Sequence, residues 1–285
     1  MNSKKFFFTW EEFDNEYANP KGLLERILQD KELPQIEELI IGYWGDSWDD
    51  SCQEILDGMI ENKEKFAHIK KLFVGDMEYD ECEVSWIVQG NYTELLKALP
   101  NLKGLTIKGS QELELGEICH ENLESLEIIC GGLPSSVIED IAKAKLPNLK
   151  KLNLYLGDSN YGFDGEIEPI KNLLQVSDFP KLEYLGLNDS EIQDEVVEEV
   201  LRSKYMAQVS ELDFSNGTLS DKGGQMLLET LPKFPNITKV NLEYHYLSDE
   251  MMEKLEQLPI EINMYEQNEA DEYDGEIWRS PMLTE

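Results

Sequence analysis

The side chains that usually perform catalysis are scarce in this sequence and follow no catalytic spacing. The three histidines, His68, His120 and His245, lie far apart, and none belongs to a zinc-protease H-E-x-x-H pattern. The sequence also lacks the G-x-S-x-G nucleophile motif and the glycine-rich patterns that cradle phosphate groups. We therefore expect a protein that is not an enzyme and needs no cofactor.

One segment places oxygen ligands at alternate positions, as a calcium-binding loop does. It runs from Asp158 to Glu166 and includes Asn160 and Asp164. The glycine and the final glutamate of an EF-hand loop do not stand at the required positions. We interpret this segment as a glycine-rich turn and predict no metal, with a weak cation site as the alternative.

Cysteine use and hydropathy indicate the compartment. The four cysteines, Cys52, Cys82, Cys119 and Cys130, form no C-x-x-C pair, which is typical of reduced thiols in a cytosol. The chain contains no run of about 18 apolar residues and no signal-peptide core. These features predict a soluble, cytoplasmic protein that does not enter a membrane.

Charge restricts the class of partner. The 285 residues include 59 Asp and Glu against 25 Lys and Arg, which gives a formal net charge of −34. Such a surface repels the phosphate backbone of nucleic acids and anionic lipid. Hydrophobic residues form 41% of the chain, enough for a sizeable core, so the charge does not indicate disorder. A protein, and a basic one, is the expected partner.

A short apolar pattern, L-x-x-L-x-L, recurs along most of the chain at steps of 21 to 33 residues. The last two apolar residues of each copy are two positions apart, so they point to one face of a strand. Helical apolar spacing follows between copies, as at Ile55, Leu56 and Met59. The copies begin at Ile36, Ile69, Leu102, Leu123, Leu149, Leu182, Val209 and Ile237, with a degenerate ninth at Ile260.

A strand and helix of this kind can bury their apolar sides only against neighbouring copies. Eight or nine stacked units therefore predict a parallel sheet on the inside of the stack and helices on the outside. The step of 21 residues before Leu123 is too short for a helix, so we expect an extended or 3₁₀ connection there. Residues 1–34 are the predicted N-terminal cap, 35–265 the repeat domain, and 266–285 an acidic tail partly docked on the last repeat.

Two segments carry a resemblance to a known family. Leu185–Asp194 reads LGLNDSEIQD, and Leu212–Asp221 reads LDFSNGTLSD. With these segments and its helical outer sides, the chain resembles leucine-rich repeat proteins of the ribonuclease-inhibitor-like class, and within it uncharacterised bacterial cytoplasmic members. The resemblance implies an α/β horseshoe whose parallel sheet is concave, whose helices are convex, and whose role is protein binding. A regular asparagine ladder is not expected, because Ser, Gly or His stands at its usual position, as at Ser110, Gly131 and His245.

Acidic and aromatic residues concentrate where each strand leads into the following helix. We call this side the strand-exit edge; it holds 31 of the 59 acidic residues and no Lys or Arg. Helix dipoles favour acids at helix starts and account for part of this pattern, but runs such as 76–83 exceed that requirement. The ranges that form the strand-exit edge are 44–54, 75–95, 109–123, 129–142, 156–170, 188–201, 215–221 and 243–253.

We predict a monomeric interaction module that binds its partner through the concave face and the strand-exit edge. Aromatic side chains supply most of the binding energy at protein interfaces, and neighbouring acids favour a basic surface. Several aromatic residues are expected to pack over the core, with Trp48 and Tyr161 exposed. The candidate contact residues are Trp44, Trp48, Asp49, Asp50, Phe73, Tyr79, Asn153, Tyr155, Tyr161, Tyr184, Asp213 and Tyr244. The alternatives are an accessory or scaffold subunit for an enzyme or peptide substrate of a bacterial gene cluster, and a nucleic-acid mimic.

Overall fold

Strands and helices alternate along the chain in the computed structural model, which describes residues 2–13, 17–273 and 275–284. Within these residues, ten strands form one sheet in chain order, and each strand pairs in parallel with the next. The strands are β1 (Ser3–Phe6), β2 (Glu38–Ile41), β3 (Lys71–Val74), β4 (Gly104–Lys108), β5 (Ser125–Ile129), β6 (Lys151–Gly157), β7 (Tyr184–Ser190), β8 (Glu211–Asp213), β9 (Lys239–Asn241) and β10 (Glu261–Asn263). A separate antiparallel pair follows, β11 (Asp271–Tyr273) and β12 (Glu276–Trp278). The parts of the predicted cap and tail at positions 1, 14–16, 274 and 285 lie outside the described residues.

Helices connect most of the strands. They are α1 (Pro20–Gln29), α2 (Gln53–Glu61), α3 (Lys63–Phe66), α4 (Thr93–Ala98), α5 (Ser135–Lys143), α6 (Glu168–Val176), α7 (Gln193–Arg202), α8 (Asp221–Thr230) and α9 (Asp249–Leu255). Short 3₁₀ segments occupy Trp10–Glu12, Leu33–Gln35, Val84–Trp86, Ser159–Tyr161, Lys204–Ala207 and Leu231–Lys233. The eight clear sequence copies correspond to β2 through β9, and the degenerate ninth corresponds to β10. Residues 109–124 contain turns and isolated bridges but no helix, which confirms the expected extended connection.

The repeated apolar residues form one core between sheet and helices. Leu39 of β2 lies beside Leu72 of β3, which lies beside Leu105 of β4, and all three are almost fully buried. The same buried cluster runs from Phe6 to Leu255. Replacing one such leucine by alanine typically destabilises a protein by about 2–5 kcal/mol. The repeat pattern therefore holds the sheet in register and fixes where each strand ends.

The first strand was not anticipated from the sequence. Residues Ser3–Phe6 pair in parallel with Glu38–Ile41, so the predicted cap supplies an additional strand before its helix α1. Beyond β1 the chain turns through the 3₁₀ segment Trp10–Glu12. This turn brings the N-terminal aromatic residues to the strand-exit edge beside β2.

The described residues include no helix long and apolar enough to cross a bilayer. The four cysteines are free thiols. Burial raises the pKa of Cys52 to about 12, so this thiol stays protonated and has no nucleophilic character at neutral pH.

Candidate protein-binding surface

The loop after β2 is fixed by a buried tryptophan. The Trp44 indole nitrogen donates a hydrogen bond to the Asp50 carbonyl oxygen at 2.8 Å. Gly45 has a φ of +110°, and a Cβ at this position would lie 2.1 Å from the Ala18 carbonyl oxygen, so the turn requires glycine. Trp44 is 0% exposed. The prediction that Trp44 contacts a partner is therefore wrong, because its ring belongs to the core.

Trp48 lies in a stack of aromatic rings instead of standing free in solvent. Its ring centroid is 5.7 Å from that of Phe13 and 6.4 Å from that of Tyr43. Trp10 continues the stack, with its ring nearly parallel to Phe13 at 5.4 Å. Trp48 is half-buried, which is less exposure than its polar neighbours in sequence suggested. Trp10 was absent from the predicted contact residues, since only the pairing of β1 with β2 brings it here.

The stack forms one wall of an open pocket of about 460 Å³ at the exits of β2 and β3. We call it the aromatic pocket; its lining residues are Trp10, Trp48, Tyr79, Asp80, Glu81, Cys82, Glu83 and Trp86. Trp10, Tyr79 and Trp86 expose 64%, 62% and 54% of their surface. Tyr79, one of the predicted contact residues, is therefore exposed, and so is Trp86, which the sequence placed in the same loop.

Negative charge dominates the aromatic pocket. Among the described residues, none that lines it is basic. In the same part of the chain, the carboxylates of Asp80 and Glu83 have no hydrogen-bond or ion-pair partner, whereas Glu81 Oε2 accepts the Glu78 backbone N–H at 2.9 Å. Within the part of the chain that the structure describes, two carboxylates without a partner, one exposed and one half-buried, thus lie beside three exposed aromatic rings.

The adjoining loop adds three further acids. Asp49 and Asp50 are exposed, and Asp46 is half-buried. Burial and the neighbouring charges of Asp50 and Asp49 raise the pKa of Asp46. A bound cation would relieve this mutual repulsion. The negative potential at the exits of β2 and β3 therefore favours the binding of a positively charged group.

The open face of the sheet near β6 to β8 is different, because its polar side chains bond to one another. Tyr184 Oη donates to Asp213 Oδ2 at 2.5 Å, and Asn153 Nδ2 donates to Glu127 Oε1 at 2.7 Å. Asn188 Nδ2 in turn donates to Asn153 Oδ1 at 3.1 Å. Asn153 and Asp213 are buried. These three predicted contact residues, Asn153, Tyr184 and Asp213, therefore brace the sheet across its strands and do not present free groups to a partner.

The other predicted contact residues are spread along the molecule and are half-buried. Phe73 lies on the open face of β3, and Tyr155 lies in β6. Tyr161 ends a 3₁₀ segment, and Tyr244 packs edge-on against Tyr246 at 6.2 Å between ring centroids. The structure does not bring these four residues into one site.

The candidate calcium segment folds as a tight turn. Asp158 Oδ1 accepts the Asn160 backbone N–H at 2.7 Å, and Asp164 Oδ2 accepts the Ser135 backbone N–H at 3.0 Å. Across the described residues, no group of three His, Cys, Asp or Glu side chains is arranged to hold a metal ion. Asp158 thus stabilises the backbone of the turn, and Asp164 binds the start of α5.

Acids at the starts of α7 and α8 tie neighbouring repeats together. Asp194 accepts the Ser220 backbone N–H at 2.9 Å, the Ser220 hydroxyl at 2.5 Å and the Gly223 N–H at 3.1 Å. Asp221 binds the N–H and hydroxyl of Ser248 in the same way, both at 2.7 Å. Each acid therefore caps the helix of the following repeat, a role that a charge count cannot distinguish from partner binding.

The C-terminal residues 280–284 lie across the strand exits of the second half of the molecule. The Tyr246 hydroxyl donates to the Ser280 carbonyl oxygen at 2.9 Å, and the Met282 N–H donates to the Asn216 carbonyl oxygen at 2.7 Å. We call residues 280–284 the C-terminal strap. It begins at the exit of β9 and runs back over the exit of β8. The tail was expected to dock on the last repeat, and the strap reaches earlier repeats as well.

The C-terminal strap continues over a buried carboxyl group at the exit of β7. The Leu283 N–H donates to Asp189 Oδ1 at 2.9 Å, and Asp189 is fully buried with a φ of +54°. Within the described residues, Asp189 Oδ2 has no hydrogen-bond partner. Burial raises the pKa of Asp189 to about 9, so its carboxyl group is protonated at neutral pH. Sequence analysis gave no signal for this contact, which joins residues 94 positions apart.

No protein-family model and no curated protein matches the chain. The structure is similar to the crystal structure of a protein from Bacteroides fragilis, with a TM-score of 0.89. The two sequences are 42% identical, over 94% of this chain and 76% of that chain. A likeness at this identity and coverage extends to the whole fold and is not confined to one segment.

Proposed function

This chain belongs to the same family as the Bacteroides fragilis protein, and from that premise we propose that it is a leucine-rich repeat protein of the ribonuclease-inhibitor-like class. The parallel strands in chain order, each followed by a helix or an extended return, support a horseshoe with the sheet on its concave side. The protein acts as a cytoplasmic, monomeric, non-catalytic binding module. The dispersed histidines, and the buried Cys52 thiol that stays protonated, fit this role better than an enzymatic one.

The partner is a basic protein, and it binds the strand-exit edge near β2 and β3. The observation that carries this proposal is the aromatic pocket, where exposed rings lie beside two carboxylates that have no partner among the residues the structure describes. Exposed aromatic side chains provide binding energy, and complementary charge accelerates and orients association. The opposite half of the strand-exit edge is a poorer surface, since the C-terminal strap already covers part of it.

The proposal is tested by capture of a partner with the full chain as bait. A variant with Trp48→Ala, Asp49→Ala and Asp50→Ala removes one ring and two charges beside the aromatic pocket. The matched control carries Trp278→Ala, Glu269→Ala and Asp271→Ala, exposed residues of the same types near β11 and β12. Captured proteins are identified by mass spectrometry, purified, and titrated against each variant by calorimetry.

We expect a basic protein that binds the wild-type chain and the control equally and binds the first variant at least about tenfold more weakly. Its affinity should also fall between about 0.05 M and 0.5 M salt, because screening shortens the reach of surface charges. Equal binding to all three proteins without salt dependence would contradict the proposal. Circular dichroism of each variant confirms that it has folded.

A further inference from the structure

We propose that the aromatic pocket is the recognition site for one arginine side chain of the partner. This inference rests on the proposed function and gives the basic partner a specific anchor. The site is the cavity between the loops that follow β2 and β3, and its ligand is a guanidinium group carried on a polypeptide.

The aromatic walls favour a flat cation. Trp10 and Phe13 lie 6° from parallel, and Trp10, Trp48 and Trp86 all line the cavity. A cation over the face of a tryptophan is attracted by the negative face of the ring. Guanidinium is planar and weakly hydrated, so it stacks on such rings more readily than the compact, strongly hydrated lysine ammonium group.

The carboxylates select a cation that can donate hydrogen bonds. Asp80 and Glu83 line the cavity, and within the described residues neither has a partner for its acceptor oxygens. Guanidinium offers five N–H donors in a planar fork, which can serve a carboxylate while one face stays on a ring. A quaternary ammonium group has no N–H donor and would leave both carboxylates without hydrogen bonds. The lining thus matches arginine better than trimethylated lysine.

The remaining polar groups do not compete for these carboxylates. Burial raises the pKa of Cys82 to about 11, so the thiol that lines the cavity is neutral. Lys108, the base whose charge acts on Cys82, donates its ammonium group to the Met77 carbonyl oxygen at 2.5 Å. The cavity therefore keeps its negative charge available.

The two loops are held in place before any ligand arrives. The Val88 N–H donates to the Ser47 carbonyl oxygen at 2.9 Å, and the Cys52 N–H donates to the Val88 carbonyl oxygen at 3.3 Å. These bonds join the loop after β2 to the loop after β3. Because the walls are already fixed, binding does not require the loops to become ordered, which favours affinity for a small group.

The probe is a short peptide of Gly and Ser with one central arginine, compared with the same peptide containing citrulline, lysine or trimethyllysine. Citrulline keeps the planar shape and loses the charge. Binding to the full chain is followed by NMR of the tryptophan indole N–H resonances. Trp278 is exposed outside the pocket and serves as an internal reference. We expect shifts at Trp10, Trp48 and Trp86 with the arginine peptide, and an affinity at least about tenfold weaker for citrulline.

Variants of the cavity then separate rings from charges. Trp86→Leu removes one exposed wall, and Asp80→Asn with Glu83→Gln removes the charge while keeping the shape. Each variant should bind the arginine peptide about tenfold more weakly than the wild type does. The matched controls, Trp278→Leu and Glu253→Gln, change exposed residues elsewhere and should leave the affinity within about twofold.

The outcomes distinguish this inference from the proposed function. If the purified basic partner binds all cavity variants as it binds the wild type, the arginine site is overturned while the binding module stands. Equal affinity for the arginine and citrulline peptides, or preference for trimethyllysine, also overturns the guanidinium assignment. If neither an identified basic partner nor the arginine peptide binds the wild-type chain, both proposals fail together.

Discussion

The strand-exit edge near β2 and β3 differs from the same edge near β7 to β9 in what its acidic side chains contact. At the first location, Asp80 and Glu83 stand beside exposed rings, and within the described residues their carboxylates have no partner. At the second, Asp194 and Asp221 accept backbone N–H groups of the following repeat. Two regions with a similar excess of acid therefore differ: acids of the second stabilise the stack, whereas the first is the region that we propose for binding.

One cause is the number of residues between the end of each strand and the start of the following helix. Acids at the starts of α7 and α8 meet the free N–H groups of a neighbouring helix start, and these donors bind carboxylate oxygens. The loops after β2 and β3 run for eleven and more residues before α2 and α4 begin. Among the described residues of these loops, Asp80 and Glu83 meet no helix start, whereas Asp76 pairs with Lys5 and Glu81 accepts the Glu78 N–H. A long loop leaves room for acids without a structural contact, although Asp164, in the loop of ten residues after β6, still binds the start of α5.

The largest effect that tests this comparison concerns Asp189 under the C-terminal strap. Its folded pKa is raised from 3.8 to about 9, so the folded chain holds a proton that the unfolded chain releases. The free energy of unfolding should therefore fall as pH rises through this window. Asp189→Asn keeps an acceptor for Leu283 and cannot ionise. The free energy of unfolding of the variant, relative to that of the wild type, should therefore increase by about 1.4 kcal/mol per pH unit between about pH 5 and pH 8.

Urea unfolding of both proteins across this pH range measures the difference. Comparing the two proteins at each pH cancels the other titrating groups, including Glu12 and Glu124, whose pKa values are lowered to about 2 by their partners Arg26 and Lys103. Asp158 is the charged group that acts on Asp189, and it is the same in both chains. A constant difference between the two proteins at every pH would show that Asp189 does not bind a proton on folding.

The second prediction compares the loss of one acid from each of the two regions. Asp194→Ala removes an acceptor of three hydrogen bonds between α7 and α8 and should lower the free energy of unfolding by about 3 kcal/mol. Asp80→Ala should change it by less than about 0.5 kcal/mol, because this side chain is exposed. Partner binding should show the opposite order, weakened by Asp80→Ala and unaffected by Asp194→Ala. Equal stability losses would remove the distinction between the regions.

The third prediction removes the C-terminal strap by ending the chain at Arg279. The lost bonds to Asn216, Asp189 and Tyr246 should lower the free energy of unfolding by about 2 kcal/mol. The pH dependence attributed to Asp189 should also shrink, since water then reaches its carboxyl group. Binding of the arginine peptide should stay within about twofold of the wild type. A truncated chain that keeps the full pH dependence would mean that other elements bury Asp189.

The periodic apolar residues were sufficient to predict the strands β2 to β10. Two apolar residues two positions apart, such as Leu185 and Leu187, point to the same face of a strand, and this can be recognised without knowing any distant contact. Contacts between distant segments left no local signal. The pairing of β1 with β2 and the docking of Leu283 on Asp189 depend on where the chain ends return in space. Exposure of aromatic residues was also unpredictable, since Trp44 and Trp86 both follow strands and only packing buries the first. The sequence was therefore sufficient to locate the strand-exit edge. It was not sufficient to separate the acids that have structural contacts from those that have none.

The smallest expected effect concerns Tyr43, which lies beneath the aromatic stack. Its hydroxyl is buried and has no hydrogen-bond partner within the described residues. Tyr43→Phe removes this unsatisfied group and keeps the ring beside Trp48, so it should raise the free energy of unfolding by about 0.5–1 kcal/mol at every pH. Arginine-peptide affinity should not change, because the hydroxyl does not reach the cavity surface. Asp189→Asn also relieves a buried polar group, but its benefit grows with pH. A gain for Tyr43→Phe that varied with pH between about pH 5 and pH 8 would contradict this account, since burial and nearby acids keep the pKa of Tyr43 far above that range.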